Sequence, residues 1–388
     1  MAIGNMTQRK RFLEYVRRGG SERMVSLQIG GGAGFDAKLA GKTWVSETTI
    51  EDTMAAYELV GGDGLINVGL PGFDRYVPEL TWQHARTDTA TERITRSRLD
   101  TPFGALEWEH CERPREGSTP VRYPIRFGDK TDVVSWLIER QYEALPYVPD
   151  MVGPLIEYVH PEWPLCIQWS VQPFEMLCLT PAPDAVLFAM HDMDAYRSLC
   201  DRILDLNVAL CRAVIQAGAD FIFLGGPGRE LMSPLLYETF MVPDSARIST
   251  AVHEAGGMVY SHICSPVQPF LDMGYYNRMG IDLFETLSPP PVGNVLSLRD
   301  ARQQLPEAMC TRGNIGLDVL LTSTPEEVRE ITHAVMQATE GHKHIVAASD
   351  YLFYDIPVEN ARAVVETVHA QNRTASNHTV RTTQGDEL

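Results

Sequence analysis

Eight short runs of apolar and β-branched residues, each followed by a stretch of helical period, constrain this chain more than any other feature. They fall at 25–29 (VSLQI), 65–68 (LINV), 166–171 (CIQWSV), 221–224 (FIFL), 258–262 (MVYSH), 281–285 (IDLFE), 308–313 (AMCTRG) and 344–348 (HIVAA). They are continuous rather than alternating, as strands buried on both faces are. The helices between them carry their own boundaries. Ser233-Pro234 supplies an N-cap and a first-turn proline, and Gly256-Gly257 closes that helix. Thr324-Pro325-Glu326-Glu327 opens another with the acids its dipole favours, and Pro357-Val358-Glu359-Asn360 opens the last. Eight strands alternating with helices is the pattern of a (β/α)8 TIM barrel.

With 388 residues, the chain is expected to form a single barrel domain over 1–372, with 373–388 (RTASNHTVRTTQGDEL) as a polar, mobile tail. One excursion interrupts the pattern. Residues 93–99 and 105–110 alternate polar and apolar around Asp100-Thr101-Pro102-Phe103-Gly104, which predicts a β-hairpin inserted between barrel strands two and three. The stretch 111–164, rich in proline and aromatics, is expected to cover the barrel mouth.

Charge narrows the function classes. Thirty-three Lys and Arg stand against 51 Asp and Glu, a formal charge of −18, which repels phosphate backbones and anionic lipid and so disfavours nucleic-acid or membrane-surface binding. The seven cysteines are odd in number and contain no CxxC pair, which fits a reducing compartment rather than a disulfide framework. The first twenty residues are charged and helical in period with no apolar signal-like segment, and no apolar run reaches the ~18 residues of a membrane span. A cytoplasmic location is expected, and the terminal Gly-Asp-Glu-Leu reads as a frayed end.

In barrels of this kind chemistry is done at the C-terminal ends of strands. The fifth run ends in Ser261-His262-Ile263-Cys264, where an extended chain sends His262 and Cys264 to the same face. An imidazole beside a thiolate suits Zn²⁺, whereas a buried cysteine beside a hydrogen-bonded histidine is the competing structural account. The sixth run ends in Glu285 and the eighth runs into Asp350-Tyr351. These acids are candidate catalytic groups or ligands, or else helix caps and rim ion pairs. Gln28, Gln168, Gly226, Asn314 and Tyr351 at or beside the strand ends are the expected substrate contacts. The loops Gly30-Gly31-Gly32-Ala33-Gly34 and Gly225-Gly226-Pro227-Gly228 match neither a dinucleotide fingerprint nor a P-loop, and are read as making room for substrate.

Taken together, the segments 218–248, 253–267, 280–295, 312–315 and 355–366, with the hairpin motif DTPFGALEW at 100–108, resemble the uroporphyrinogen decarboxylase superfamily, a (β/α)8 family. The resemblance covers nearly the whole chain and implies one of two chemistries. True decarboxylases of the family grip a polycarboxylate with arginines after strand one and an aspartate after strand two. Here those stretches read Gln28-Ile29-Gly30-Gly31-Gly32-Ala33-Gly34-Phe35 and Asn67-Val68-Gly69-Leu70, without either. The chain is closer to the cobamide and coenzyme M-type methyltransferases, which hold zinc with an HxC pair after strand five and a cysteine after strand eight. His262 and Cys264 match the pair, and Asp350 stands where the third ligand, a cysteine, is expected. Asp is a competent zinc ligand, so the resemblance implies a zinc site of His262, Cys264 and Asp350, with Glu285 nearby. Cys310 lies inside a strand and is not expected to join it. The reading is a zinc-dependent methyltransferase moving a methyl group between a small methylated substrate and a thiol, corrinoid or folate-type acceptor. No DxHxxG stretch is present, so a corrinoid would arrive on a separate protein. Two alternatives stay open: a metal-independent decarboxylase-like lyase or hydrolase acting on a small carboxylate, with Asp350 and His262 as acid and base, or a barrel that only binds a ligand.

Overall fold

Twelve strands occur among the described residues of the computed structural model, which are 6–126, 131–174, 179–226 and 230–385, with backbone only for 375–385. In chain order they are β1 (Met24–Val25), β2 (Ile66–Gly69), β3 (Gln83–Asp88), β4 (Arg93–Thr101), β5 (Gly104–Glu112), β6 (Thr119–Arg122), β7 (Leu165–Gln168), β8 (Phe221–Leu224), β9 (Met258–His262), β10 (Leu283–Glu285), β11 (Cys310–Ile315) and β12 (His344–Ala348). Eight of them form one parallel sheet in the order β1-β12-β11-β10-β9-β8-β7-β2. Their central members are buried almost throughout, as continuous apolar runs require.

The sheet is strongly curled. Gln28, just past β1, places its Nε2 3.2 Å from Oε2 of Glu285 at the end of β10, three strands away in the sheet order. A flat sheet would separate such positions by about 14 Å at about 4.8 Å per strand. The chain just before β2 also reaches the other edge of the sheet, because the Asp63 N–H donates to the Val25 carbonyl of β1 at 2.8 Å. Met24, Leu65, Cys166, Phe221, Met258, Leu283, Cys310 and Ile345, one from each parallel strand or the residue before it, form a single buried cluster. Phe12 of the helix Gln8–Arg18 joins that cluster, edge-on to Phe221 at 6.2 Å, and closes the N-terminal end of the curl. The larger apolar core lies between the strands and the surrounding helices. This is a TIM-barrel-like arrangement whose open end carries the C-terminal ends of the strands.

The expected hairpin differs in extent. Its two arms pair as β4 and β5, with Asp100 opposite Ala105, but β3 and β6 flank them in a four-stranded antiparallel sheet, β3-β4-β5-β6. The outer strands QHARTD and TPVR are exposed along their whole length, so they carry no apolar face for periodicity to detect. The stretch 111–164 is largely helical beyond β6, with helices at Thr131–Ala144 and Val148–Val159. The last helix runs Val358–Gly385, so 373–385 continues it where a polar tail is expected, and no proline or glycine interrupts it before Gly385. The caps behave as their sequences require. Thr324 and Glu327 form a reciprocal capping box, and the Ser233 hydroxyl accepts from the Leu236 N–H.

Candidate metal centre

Three neighbouring strands set a row of polar and charged residues side by side, His262 and Glu285 at the ends of β9 and β10 and Arg312 within β11. The parallel register sets Glu285 of β10 opposite His262 of β9 on one side and opposite Arg312 of β11 on the other. Glu285 is fully buried, and its carboxylate is saturated. Oε1 lies 2.7 Å from His262 Nδ1 and also accepts from the Tyr260 hydroxyl. Oε2 lies 3.2 Å from Nη1 of Arg312 and from Nε2 of Gln28. Arg312 turns its remaining donors to the carbonyls of Ser26 and Leu27, both at 2.9 Å. Burial opposes its charge, but Glu285 beside it outweighs that and raises the guanidinium's pKa further.

With Nδ1 held by Glu285, the other ring nitrogen of His262 faces the barrel mouth. Nε2 lies 3.3 Å from Asp350 Oδ1. One ligand atom each from His262, Cys264 and Asp350 can be chosen so that all lie within 4.8 Å of one another. The three are half-buried, at the ends of β9 and β12. Burial opposes charge on His262, but hydrogen bonding to Asp350, Cys264 and Glu285 outweighs it, and its pKa is raised well above the ordinary imidazole value. Burial likewise pushes Asp350 up, but hydrogen bonding and charge from His262 and the Tyr351 N–H leave it below the usual carboxylate range. Without a metal, this is an ion pair. With one, the same atoms are a donor set.

Tyr351 closes one side. Its ring lies 5.2 Å from that of His262, and its hydroxyl accepts from Asn67 Nδ2 at 2.8 Å. Burial pushes its pKa up to about 12, so it is a neutral phenol. Gly31 makes this packing possible, because a Cβ there would sit 2.7 Å from the Tyr351 ring at a φ of +61°.

The other expected site residues fall in different places. Glu285 lies behind His262 rather than in the mouth, so it can act on a substrate only through the histidine. Gln28 is equally buried, bonded to Glu285 and the Ala348 carbonyl. Asn314 donates to the Leu287 carbonyl at 2.9 Å and so braces the loop after β10. Gln168 ends β7, half-buried. The space of a side chain at Gly226 is taken by Met241, 2.9 Å from a Cβ there, and by Gln172. Pro227 and Gly228 lie outside the described residues. Cys310 is buried in the barrel floor, its thiol pushed up to about 12 by burial, away from the centre.

Sequence reading missed Arg312 and Tyr260 as site residues. A signal was present: of three successive apolar runs, two end in His262 and Glu285 and the third carries Arg312 one residue before its end, and parallel strands set such positions side by side.

Comparison with known proteins fits this architecture. The chain is 26% identical over 256 residues to the uroporphyrinogen decarboxylase of Syntrophotalea carbinolica, covering 63% of this chain and 70% of that one. It is 24% identical over 191 residues to that of Novosphingobium aromaticivorans, covering 49% of this chain and 54% of the relative, so the chain spans about half of that protein. Among solved structures, a methyltransferase from Methanosarcina mazei shares the fold with a TM-score of 0.64 at 16% identity, over 94% of this chain and 99% of that one. The uroporphyrinogen decarboxylase (URO-D) family model matches residues 114–371, more than half of the chain, and the chain belongs to that family.

Proposed function

We propose that this chain is a zinc-dependent methyltransferase of the superfamily, moving a methyl group between a small methylated substrate and a thiol, corrinoid or folate-type acceptor. The convergence of His262, Cys264 and Asp350 at the barrel mouth carries the reading. The donor set suits zinc: one imidazole, one thiolate and one carboxylate, with a buried carboxylate fixing the far ring nitrogen of the histidine. Three protein ligands leave a position for a reactant, as catalytic rather than structural zinc sites do. Bound there, zinc would supply Lewis acidity, lowering the pKa of a thiol or alcohol acceptor or polarising the leaving atom of a methyl donor.

The chain's own residues do the rest. Glu285 holds the Nδ1 proton and so presents the Nε2 lone pair to the mouth. Arg312 pairs with Glu285 from the other side and holds its carboxylate in place behind the histidine. Tyr351 shields one side of His262 from water, and its hydroxyl stays protonated beside Asn67. The strand-one loop contributes glycines rather than arginines, which suits a small substrate better than a polycarboxylate. The Methanosarcina protein whose fold this chain shares is named a methyltransferase. A corrinoid, if used, arrives on a partner protein.

The 3.3 Å contact of His262 with Asp350 also favours a second reading, metal-independent acid–base chemistry on a small carboxylate. One experiment separates the two. Methyl transfer from free methylcobalamin to a small thiol is followed by the corrinoid spectrum with zinc-loaded, chelator-stripped and zinc-restored protein. The methyltransferase reading expects activity that is lost on stripping and regained on restoration. Activity indifferent to zinc, or unchanged in His262→Ala, contradicts it.

A further inference from the structure

We infer that Arg115 is the specificity residue of the substrate cleft, and that the ligand it selects is a small monoanion with one carboxylate-type group on a flat apolar body. The inference rests on the proposed function only in taking the cleft beside Asp350 as the place where substrate binds.

That cleft, of about 520 Å³, runs between the glycine loop after β1 and the turn joining β5 to β6 and contains Asp350 and Tyr351. The turn is seated firmly. A Cβ at Gly117 would lie 2.4 Å from the Gly32 carbonyl oxygen, so turn and loop are in direct backbone contact. Arg115 sits on this turn at a φ of +69°, and Leu287 is the other non-glycine residue among those described with a left-handed backbone. Its N–H donates to the Thr43 carbonyl at 2.8 Å. A non-glycine residue is held this way only where its surroundings over-determine it, and such positions cluster at ligand sites.

Charge then points to the ligand. Arg86, Arg93, Arg96, Arg98 and Arg122 of the antiparallel sheet, and Arg113 just after β5, each pair with a carboxylate. Arg115 makes no ion pair among the described residues. Its guanidinium lies instead 5.5 Å from the centre of the Tyr354 ring. Among the described residues it is the one Lys or Arg lining the cleft, and a guanidinium without an ion-pair partner there suits a carboxylate. Glu116, Asp355 and the proposed zinc ligand Asp350 line the same space, so a second negative group on the ligand, away from Arg115, would meet like charge. Phe353, half exposed in the same lining, and Tyr354 offer flat apolar faces. One anion on a planar body satisfies all of these at once.

The test measures binding of benzoate, its neutral isostere benzamide, and the dianion phthalate to the zinc-loaded full chain by calorimetry. Wild type is expected to bind benzoate at least about tenfold more tightly than benzamide, the scale of one charge-assisted hydrogen-bonded pair, and more tightly than phthalate. Arg115→Gly removes the guanidinium and also relaxes the left-handed backbone, so melting temperature and zinc content should hold while the preference shrinks to about twofold or less. Arg115→Lys should keep part of it. Equal binding of benzoate and benzamide by wild type, no binding of either, or a benzoate preference that survives Arg115→Gly overturns the inference. No methyl group moves in this assay, so its failure leaves the methyl-transfer reading to its own test.

Discussion

His262 has a different carboxylate on each ring nitrogen, and that arrangement fixes what each substitution should do. Glu285→Gln leaves one acceptor oxygen where two now serve His262 and Tyr260 on one side and Arg312 and Gln28 on the other, and it leaves Arg312 buried beside a neutral amide. Zinc affinity should fall by about 10- to 100-fold, and stability by about 3 kcal/mol for the broken buried pair, read by chelator competition and thermal melting. Asp350 separates ligand from acid–base roles. As a ligand, Asp350→Cys should keep zinc and Asp350→Ala should lose it, while Asp350→Asn weakens it less and impairs turnover. As an acid or base, Asp350→Asn should abolish turnover with zinc content unchanged. Proton competition gives a further expectation. Zinc needs a neutral His262, whose pKa without metal is raised well above the usual imidazole value, so binding must displace a proton. Affinity should therefore rise with pH from 6 to 8, and a flat profile would remove His262 from the ligand set. The HxC pair and Asp350 were readable because each stands at the end of an apolar run. Glu285 was readable as an acid in the same sense, but not its role, which depends on lateral register with β9 and β11 that no single segment encodes. Tyr260 reads as an ordinary core residue of its strand until that register places its hydroxyl on Glu285.

The strands show the same division between local and lateral information. β8, β9 and β12 occupy the residues expected of them, since their apolar runs end where the ladder ends. β1 is shorter than VSLQI suggests, because the Ser26 and Leu27 carbonyls accept from the Arg312 side chain rather than from a neighbouring strand. The outer strands of the inserted sheet were unreadable, having no buried face. The glycine loop after β1 and the β5–β6 turn depend on each other through Gly32 and Gly117. Gly31→Ala should push Tyr351 off His262, costing about 1–3 kcal/mol as overpacked sites do and lowering turnover further than the lost stability explains. Wild-type melting and activity in that variant would show that Tyr351 is not held by the loop.

At the scale of the whole molecule, the fold and the centre are separable. The barrel floor, sealed by Phe12 and one residue from each parallel strand, lies at the opposite end from His262, so removing the metal should leave the protein folded. The net charge of −18 and an arginine-free loop after β1 carry an expectation about the substrate. Uroporphyrinogen, whose several carboxylates would need a cationic clamp, should not be decarboxylated above background, and measured turnover would contradict the proposed methyltransferase reading. The central claim is that His262, Cys264 and Asp350 form a zinc centre, and the most direct test is the metal content of protein purified without chelator. Wild type is expected to carry about one zinc per chain, as a filled site would. His262→Ala and Cys264→Ala should lose it with circular dichroism unchanged. Stoichiometric zinc retained by both variants, or a wild-type protein that takes up none when zinc is supplied, would contradict the account.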